Sequence, residues 1–244
     1  MAILVLMPLA INSQINPEKK IKVALIYTAT TPELKADMLR EVTKELGPDV
    51  EIMSYEDVSV FEEPRKTGYI TAVPAAKLIH MYMKAVEDGA DALLSICSTV
   101  ADVGYSMQDA ARFIGVPLVM VNDEMCREAV KKGKRIAVMA TFPTAIAPTT
   151  NTIHRMAREM GKRVEVVEVL ADGGFGLDHE KFKALMAAKA GEVADKVDII
   201  LFAQGSMAYC EEYIANMYNK TVLTNPHFGA KALKAALIDK GLME

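Results

Sequence analysis

The residue in this sequence best placed to do chemistry is a cysteine at the end of a predicted buried strand. Cys97 follows the mostly apolar run 92–96 and precedes Ser98 and Thr99. A thiol at the N-terminus of the next helix has a lowered pKa, because the helix dipole stabilises the thiolate. The position suits a nucleophile or a proton carrier, whereas the alternative for a lone cysteine is an inert packing residue.

The other two cysteines and the histidines indicate no further reactive centre. Cys126 and Cys210 fall within the helical patterns 124–132 and 208–218, so we predict that both are packing residues. No CxxC, HxxxH or HExxH spacing occurs. We therefore predict neither a disulfide framework nor a metal site, and a reducing cytoplasmic location.

Polar residues also follow the other predicted strands, and most carry a hydroxyl or an amide. Such groups donate hydrogen bonds to a small carboxylate without a bulky counter-ion, although several are also ordinary helix N-caps. No arginine occurs in these turns. We predict a small carboxylate substrate bound by Thr28, Ser98, Thr99, Asn122, Thr141, Thr144, Gly205 and Ser206.

Short apolar runs alternate with longer segments of helical period, which is typical of βαβ units and parallel sheets. The predicted strands are 23–27, 50–53, 92–96, 118–121, 136–140, 164–169, 199–203 and 221–223. The predicted helices between them include 32–46, 75–88, 100–114, 147–160 and 180–195.

The chain contains two copies of one α/β unit. Residues 23–28 align with 136–141, and residues 91–99 align with 198–206. The repeat predicts an α/β fold of two pseudo-symmetric doubly wound domains, each with a four-stranded parallel sheet and with the active site between them. We expect residues 1–122, completed by 221–244, to form the first domain and 123–220 the second.

Composition excludes several classes of protein. Of 244 residues, 28 are basic and 32 acidic, without the basic stripe that binds nucleic acid. No apolar run approaches the roughly 20 residues of a membrane span. The apolar segment 1–10 has no preceding Lys or Arg, so we interpret it as a buried or oligomer-contact arm rather than a targeting peptide, and expect a homo-oligomer.

The sequence resembles the aspartate/glutamate/hydantoin racemase superfamily from Lys22 onward. The resemblance rests on the duplicated halves, the turn Cys97-Ser98-Thr99, the turn at 140–144 and the segment 198–208 (DIILFAQGSMA). It implies cofactor-independent chemistry at the carbon next to a carboxylate, with one thiol on each face of that carbon. A group on each side is needed because one residue cannot reach both faces of a planar carbanion.

This sequence departs from that pattern at one position. The second family cysteine falls at Gln204, and an amide has no usable proton-transfer pKa. Our leading hypothesis is therefore a one-thiol enzyme: Cys97 acts as nucleophile or single acid/base, and Gln204 hydrogen-bonds the developing enolate oxygen. Similar family members with one cysteine missing include a decarboxylase and cis/trans isomerases.

Two alternatives remain open from the sequence. A true amino-acid racemase or epimerase would use Asp123, Glu124 or His227 as its second base, and a non-catalytic binding protein would use the same two lobes to hold a small ligand. We also expect the loop 61–68 to form a lid with the glycine-rich stretch 172–176. Arg65 in that loop is predicted to be a solvated charge.

Overall fold

The computed structural model describes residues 20–244, so the predicted arm at 1–10 lies outside the described residues. The strands are β1 (Lys22–Tyr27), β2 (Glu51–Glu56), β3 (Ala92–Ile96), β4 (Leu118–Met120), β5 (Arg135–Ala140), β6 (Glu165–Leu170), β7 (Ile199–Phe202) and β8 (Thr221–Leu223). The α-helices are α1 (Pro32–Leu46), α2 (Ser59–Thr67), α3 (Ala72–Glu87), α4 (Ala101–Ile114), α5 (Asp123–Lys132), α6 (Pro143–Glu159), α7 (His179–Gly191), α8 (Glu211–Tyr218) and α9 (Asn225–Asp239).

Two four-stranded parallel sheets confirm the predicted α/β architecture. Their strand orders are β2-β1-β3-β4 and β6-β5-β7-β8, so the second sheet repeats the topology of the first. Helices cover both faces of each sheet, because the strands are apolar on both sides and must be buried on both. Each sheet with its helices is called a lobe below.

The repeat also preserves the contact that ties each central strand to its neighbour. Asp91 accepts a hydrogen bond from the backbone N–H of Lys22 at 3.0 Å, at the start of β1. In the second lobe Asp198 accepts from the N–H groups of Lys134 and Arg135 at 2.7 and 2.9 Å, at the start of β5. The matching aspartates therefore have the same structural task.

One predicted loop is a helix. Residues 61–68 lie in α2 and at its C-terminal Gly68, and Val60, Phe61 and Pro64 face the interior. Just before the helix, the Asp57 carboxylate accepts the N–H of Ser59, the first helical residue, at 2.9 Å. Pro64 lies inside this helix, and a proline in a helix interior is unfavourable, which is consistent with a loop prediction. The helix is short, however, and ends at Gly68, four residues after Pro64.

The two lobes exchange their last helices. Helix α5 follows β4 of the first sheet but packs on the second sheet, where Met125, Cys126 and Ala129 join its core. Helix α9 follows β8 of the second sheet but packs on the first, through Leu233 and Leu237. Within residues 221–244, helix α9 thus joins the first lobe. Strand β8 is the edge strand of the second sheet, whereas it was predicted to complete the first domain.

A half-buried polar cluster fastens α4 of the first lobe to α5 and α6 of the second. The Tyr105 hydroxyl donates to Asp123 at 2.6 Å, and it also lies 2.9 Å from the Thr152 hydroxyl. The Arg155 guanidinium pairs with Asp123 at 3.0 Å and stacks over the Tyr105 ring, 4.4 Å from its centroid. Burial raises the pKa of Asp123, while the Tyr105 hydrogen bond and the Arg155 charge act in the opposite direction.

Tyr105→Phe removes one donor from this half-buried carboxylate and is expected to lower the free energy of unfolding by about 1–2 kcal/mol. The matched control is Tyr69→Phe, the same change on a side chain that is 66% exposed, which should shift stability by less than about 0.5 kcal/mol. Urea denaturation followed by circular dichroism measures both. Equal stabilities of the two variants would contradict the role given to this cluster.

Candidate functional site

The strand order places the candidate site at the point where each sheet changes winding direction. In the first sheet β1 and β3 are neighbours whose following helices leave toward opposite faces, which opens a crevice beyond their carboxyl ends. Tyr27 pairs with Ile96 at the end of these strands, so Thr28 and Cys97 are the first residues beyond the sheet. In the second sheet Thr141 and Gln204 hold the equivalent positions after β5 and β7.

A cavity between the two lobes joins these strand ends. Its volume is about 80 Å³, which is room for several waters or a small organic acid, since one water needs about 10–15 Å³. The cavity is lined by Thr28, Ala29, Thr30, Thr31, Leu34, Phe61, Ile96, Cys97, Ser98, Thr99, Phe142, Ala145, Phe175, Gln204, Gly205, Ser206 and Asn225.

Cys97 is the only residue with a titratable side chain that lines the cavity, among residues 20–244. Burial raises the pKa of its thiol above the ordinary value; the neighbouring Thr28 and Thr99 hydroxyls and the Val100 and Thr99 N–H groups lower it, but by less. The sequence-based expectation of a lowered pKa is thus wrong, because it counts the helix N-terminus and omits desolvation. Burial therefore favours the thiol over the thiolate.

Gln204 is oriented by Thr141, its partner on the neighbouring strand. The Gln204 Oε1 atom accepts the Thr141 N–H at 2.6 Å and the Thr141 hydroxyl at 3.0 Å. A backbone N–H can only donate, so the atom facing it must be the amide oxygen. The NH2 group is therefore the polar group that Gln204 can still offer to a ligand, and it can donate a hydrogen bond but cannot remove a proton.

A buried chain of hydrogen bonds crosses between the lobes beneath the cavity. The Asn225 Nδ2 atom donates to Asn122 Oδ1 at 2.7 Å, and Asn122 Nδ2 donates to the Ser98 hydroxyl at 2.7 Å. Ser98 in turn donates to the Ala203 carbonyl oxygen. Because a carbonyl only accepts, the direction of every bond in this chain is fixed. Ser98 precedes Thr99 after β3, and Ala203 precedes Gln204, so the chain ties the two strand ends together.

Helix N-termini border the cavity, and no charged side chain lines it. Helix α1 begins beside it, after Thr31, α4 begins two residues after the lining residue Thr99, and the 3-10 helix Gly205–Cys210 begins there in the second lobe. The N-terminus of a helix supplies a positive potential. A Cβ at Gly205 would lie 2.6 Å from Leu34 Cδ1 and 2.8 Å from Asn225 Oδ1, so a larger residue there would require these two side chains to move.

The structure brings together seven of the ten residues that the sequence predicted for the site: Thr28, Cys97, Ser98, Thr99, Gln204, Gly205 and Ser206. Asn122, Thr141 and Thr144 do not line the cavity. Asn122 belongs to the buried chain, Thr141 holds Gln204, and the Thr144 hydroxyl lies 3.3 Å from that of Thr99. Ligand binding by the seven stays a prediction.

Sequence reasoning missed the apolar wall of the cavity. Phe61, Phe142 and Phe175 line it, together with Leu34 and the polar Asn225. Phe142 lies in the turn at 140–144 and Phe175 in the glycine-rich stretch 172–176, both of which the sequence analysis singled out for other residues. A lone aromatic residue in each of these two segments is the sequence signal that could have predicted the wall.

The other acids and bases considered for the site lie elsewhere. Asp123 is bound by Tyr105 and Arg155, Glu124 pairs with Arg127 at 2.9 Å, and His227 lies 3.6 Å from Glu41. None of the three candidates lines the cavity.

The two remaining cysteines pack in the interior. Cys126 and Cys210 are both buried in the apolar cores of the second lobe, and neither lines the cavity. Cys210 ends the 3-10 helix Gly205–Cys210, just before α8, and does not lie inside an α-helix as predicted.

The described residues contain neither a candidate metal centre nor a membrane-spanning helix. No group of three or more His, Cys, Asp or Glu side chains in residues 20–244 is arranged to hold a metal ion. No helix in the same residues has the length and apolar character to cross a membrane.

Comparison with known proteins agrees with this architecture. The family model for Asp/Glu/Hydantoin racemase matches residues 23–233. An allantoin racemase from Klebsiella pneumoniae has a similar fold, with 17% identity, a TM-score of 0.63 and coverage of 92% of this chain and 90% of that one. No curated protein sequence matches significantly.

Two glutamate racemases have similar structures as well. The enzyme from Francisella tularensis, in complex with D-glutamate, is 13% identical with a TM-score of 0.69, over 92% of this chain and 84% of that chain. The enzyme from Bacillus anthracis is 16% identical with a TM-score of 0.70, over 91% and 84%. At these identities the likeness shows the fold.

The Thr28 hydroxyl gives a direct test of the thiol's surroundings. Thr28→Val removes a hydroxyl that lowers the pKa of Cys97, so that pKa should rise, and alkylation of Cys97 by iodoacetamide at a fixed pH near 8 should slow by about tenfold for a pKa increase of about one. Mass spectrometry of the labelled peptide measures the rate. Thr30→Val, at a lining residue that makes no hydrogen bond to Cys97, is the matched control; equal slowing in both variants would contradict the assignment.

Proposed function

Since the chain belongs to the Asp/Glu/Hydantoin racemase family, we propose that it transfers a proton at one face only of the carbon next to a substrate carboxylate. Family membership makes the protein an enzyme of the racemase type and leaves its reaction open. The proposal assigns Cys97 as the single acid/base and a small carboxylic acid as the substrate.

One observation carries the proposal: the position equivalent to Cys97 in the second lobe is Gln204. Both residues follow the third strand of their sheets and line the same cavity. Racemisation through a planar carbanion needs a titratable group on each face. Gln204 offers an amide whose oxygen is already engaged by Thr141, so the second lobe contributes a hydrogen-bond donor in place of a base.

Decarboxylation fits a site with one proton donor. Loss of CO2 from a carboxylic acid that bears a second carboxylate on the same carbon breaks one C–C bond and leaves its electron pair as an enediolate. The Cys97 thiol then gives its proton to that carbon, and the resulting thiolate is reprotonated from water. The raised pKa of the thiol supports this direction, because the group starts the reaction protonated.

The neutral donors around the cavity would stabilise the enediolate. Charge grows on its oxygens as CO2 leaves, and fixed donors aimed at developing charge are the largest contribution in many enzymes. Supporting this role, Gln204 and Ser206 line the cavity, and the N-termini of α1 and α4 lie near it. Several neutral donors and no formal positive charge favour an anion whose charge is spread over several oxygens rather than held on one atom.

Two alternative reactions, cis/trans isomerisation and racemisation with a second base other than cysteine, receive less support. Cis/trans isomerisation by thiolate addition requires an ionised cysteine, whereas burial favours the thiol form of Cys97. Racemisation with Asp123, Glu124 or His227 as second base requires a residue that lines the cavity, and these three do not.

Cys97→Ala is expected to lower turnover by roughly 10²–10⁴-fold, the usual contribution of a general acid. CO2 release from a panel of small 2-substituted malonates measures it. Cys126→Ala, the same change in the core of the second lobe, is the control and should keep turnover. Circular dichroism checks that both variants are folded.

Full turnover by folded Cys97→Ala would contradict the proposal. A binding protein would instead show ligand-induced thermal stabilisation that does not depend on the Cys97 sulfur and no turnover in the unmodified protein.

A further inference from the structure

One wall of the cavity is built from aromatic rings contributed by both lobes. Phe61 comes from α2 of the first lobe; Phe142 and Phe175 come from the second. The Phe61 and Phe142 centroids are 5.3 Å apart at 67°, and those of Phe142 and Phe175 are 5.1 Å apart at 52°. These are the tilted and edge-to-face contacts that aromatic rings prefer, so the three rings form one continuous surface, here called the phenylalanine wall.

Arg65 supports this wall from outside the cavity. Its guanidinium carbon lies 5.5 Å from the Phe142 centroid and 5.2 Å from the Phe175 centroid, within the range of a cation–π contact. Arg65 itself does not line the cavity. The predicted solvated charge is therefore an exposed side chain stacked on two rings, and it joins α2 to the loop that carries Phe175.

The rest of the cavity lining is largely polar. Cys97, Gln204 and Ser206 belong to it, and no lysine, arginine or histidine in residues 20–244 lines the cavity. For a carboxylate bound by these donors, the phenylalanine wall is the main apolar surface that its substituent can contact. A second, distant carboxylate in that place would lose its hydration against the rings without gaining a counter-charge.

From this division of the cavity we infer that the substrate carries an apolar substituent, which packs on the phenylalanine wall, and that Phe142 and Phe175 determine this specificity. The inference rests on the proposed function for the location of the carboxylate and extends it to the substrate class. It separates this protein's substrates from acids with a charged side chain such as aspartate or glutamate. Arg65 is a positioning residue that holds the rings and does not bind the second carboxylate.

A pair of unreactive acids of equal size tests the inference. In 4-methylpentanoate an isopropyl group replaces the second carboxylate of succinate. Isothermal titration calorimetry with the full-length protein should show at least tenfold tighter binding of 4-methylpentanoate than of succinate. Phe175→Ala, in an exposed loop where folding is not at risk, should remove most of this preference, and Phe142→Ala should do the same. Phe113→Ala is the matched control, because Phe113 is 94% exposed and does not line the cavity.

Arg65→Met separates the two roles of the arginine. If the guanidinium only supports the wall, the variant keeps weak succinate binding and loses a part of the affinity for 4-methylpentanoate. Tighter binding of succinate than of 4-methylpentanoate, lost in Arg65→Met, would overturn the inference and make Arg65 a carboxylate clamp. Because the probes do not react, this result is independent of the Cys97→Ala turnover experiment, which alone tests the reaction.

Discussion

A single hydrogen bond between the lobes fixes the geometry on which the site depends. The Ser98 hydroxyl donates to the Ala203 carbonyl, and these residues are the immediate neighbours of Cys97 and Gln204. The carbonyl can only accept, so the serine proton points to Ala203; the serine oxygen accepts from Asn122, whose own oxygen accepts from Asn225. The position of the thiol relative to the amide is therefore set by buried groups with no alternative partner direction, and leaving one of them unpaired costs about 1–3 kcal/mol.

Helices α5 and α9, which the lobes exchange, each cover an apolar face of the other lobe's sheet. Each sheet is apolar on both faces, and each receives one of its covering helices from the end of the other half. Asn122 and Asn225 stand at the starts of these two helices, so the swap also delivers the amides of the buried chain. The duplicated unit thus explains both the core and the cavity between the lobes.

Much of this arrangement could be predicted from the sequence, because it follows from local patterns. Apolar periodicity gave all eight strands, and the alignment of Asp91–Thr99 with Asp198–Ser206 placed Cys97 and Gln204 at equivalent strand ends. Parallel strands end at the same edge of a sheet, so seven of the ten predicted residues meet in one cavity.

The failures have a common physical origin in contacts between distant segments. The pKa of Cys97 depends on desolvation by both lobes, which strand position cannot show. The Asn122 side chain is hydrogen-bonded to Ser98 and Asn225, which are 24 and 103 residues away. Arg65 stacks on aromatic rings of the opposite lobe. Helix α2 contains Pro64 and was predicted as a loop, because its stability comes from burying Val60 and Phe61 rather than from local propensity.

The central claim is that proton transfer occurs at one face of the substrate carbon, and hydrogen exchange tests it most directly. Each enantiomer of a chiral 2-substituted carboxylic acid product is incubated with the enzyme in D2O, and loss of the α-hydrogen signal is followed by NMR. We predict that one enantiomer exchanges, without inversion, and that Gln204→Cys adds exchange of the other enantiomer. Exchange of both enantiomers by the unmodified enzyme would contradict the account, since it requires a second acid/base in the cavity.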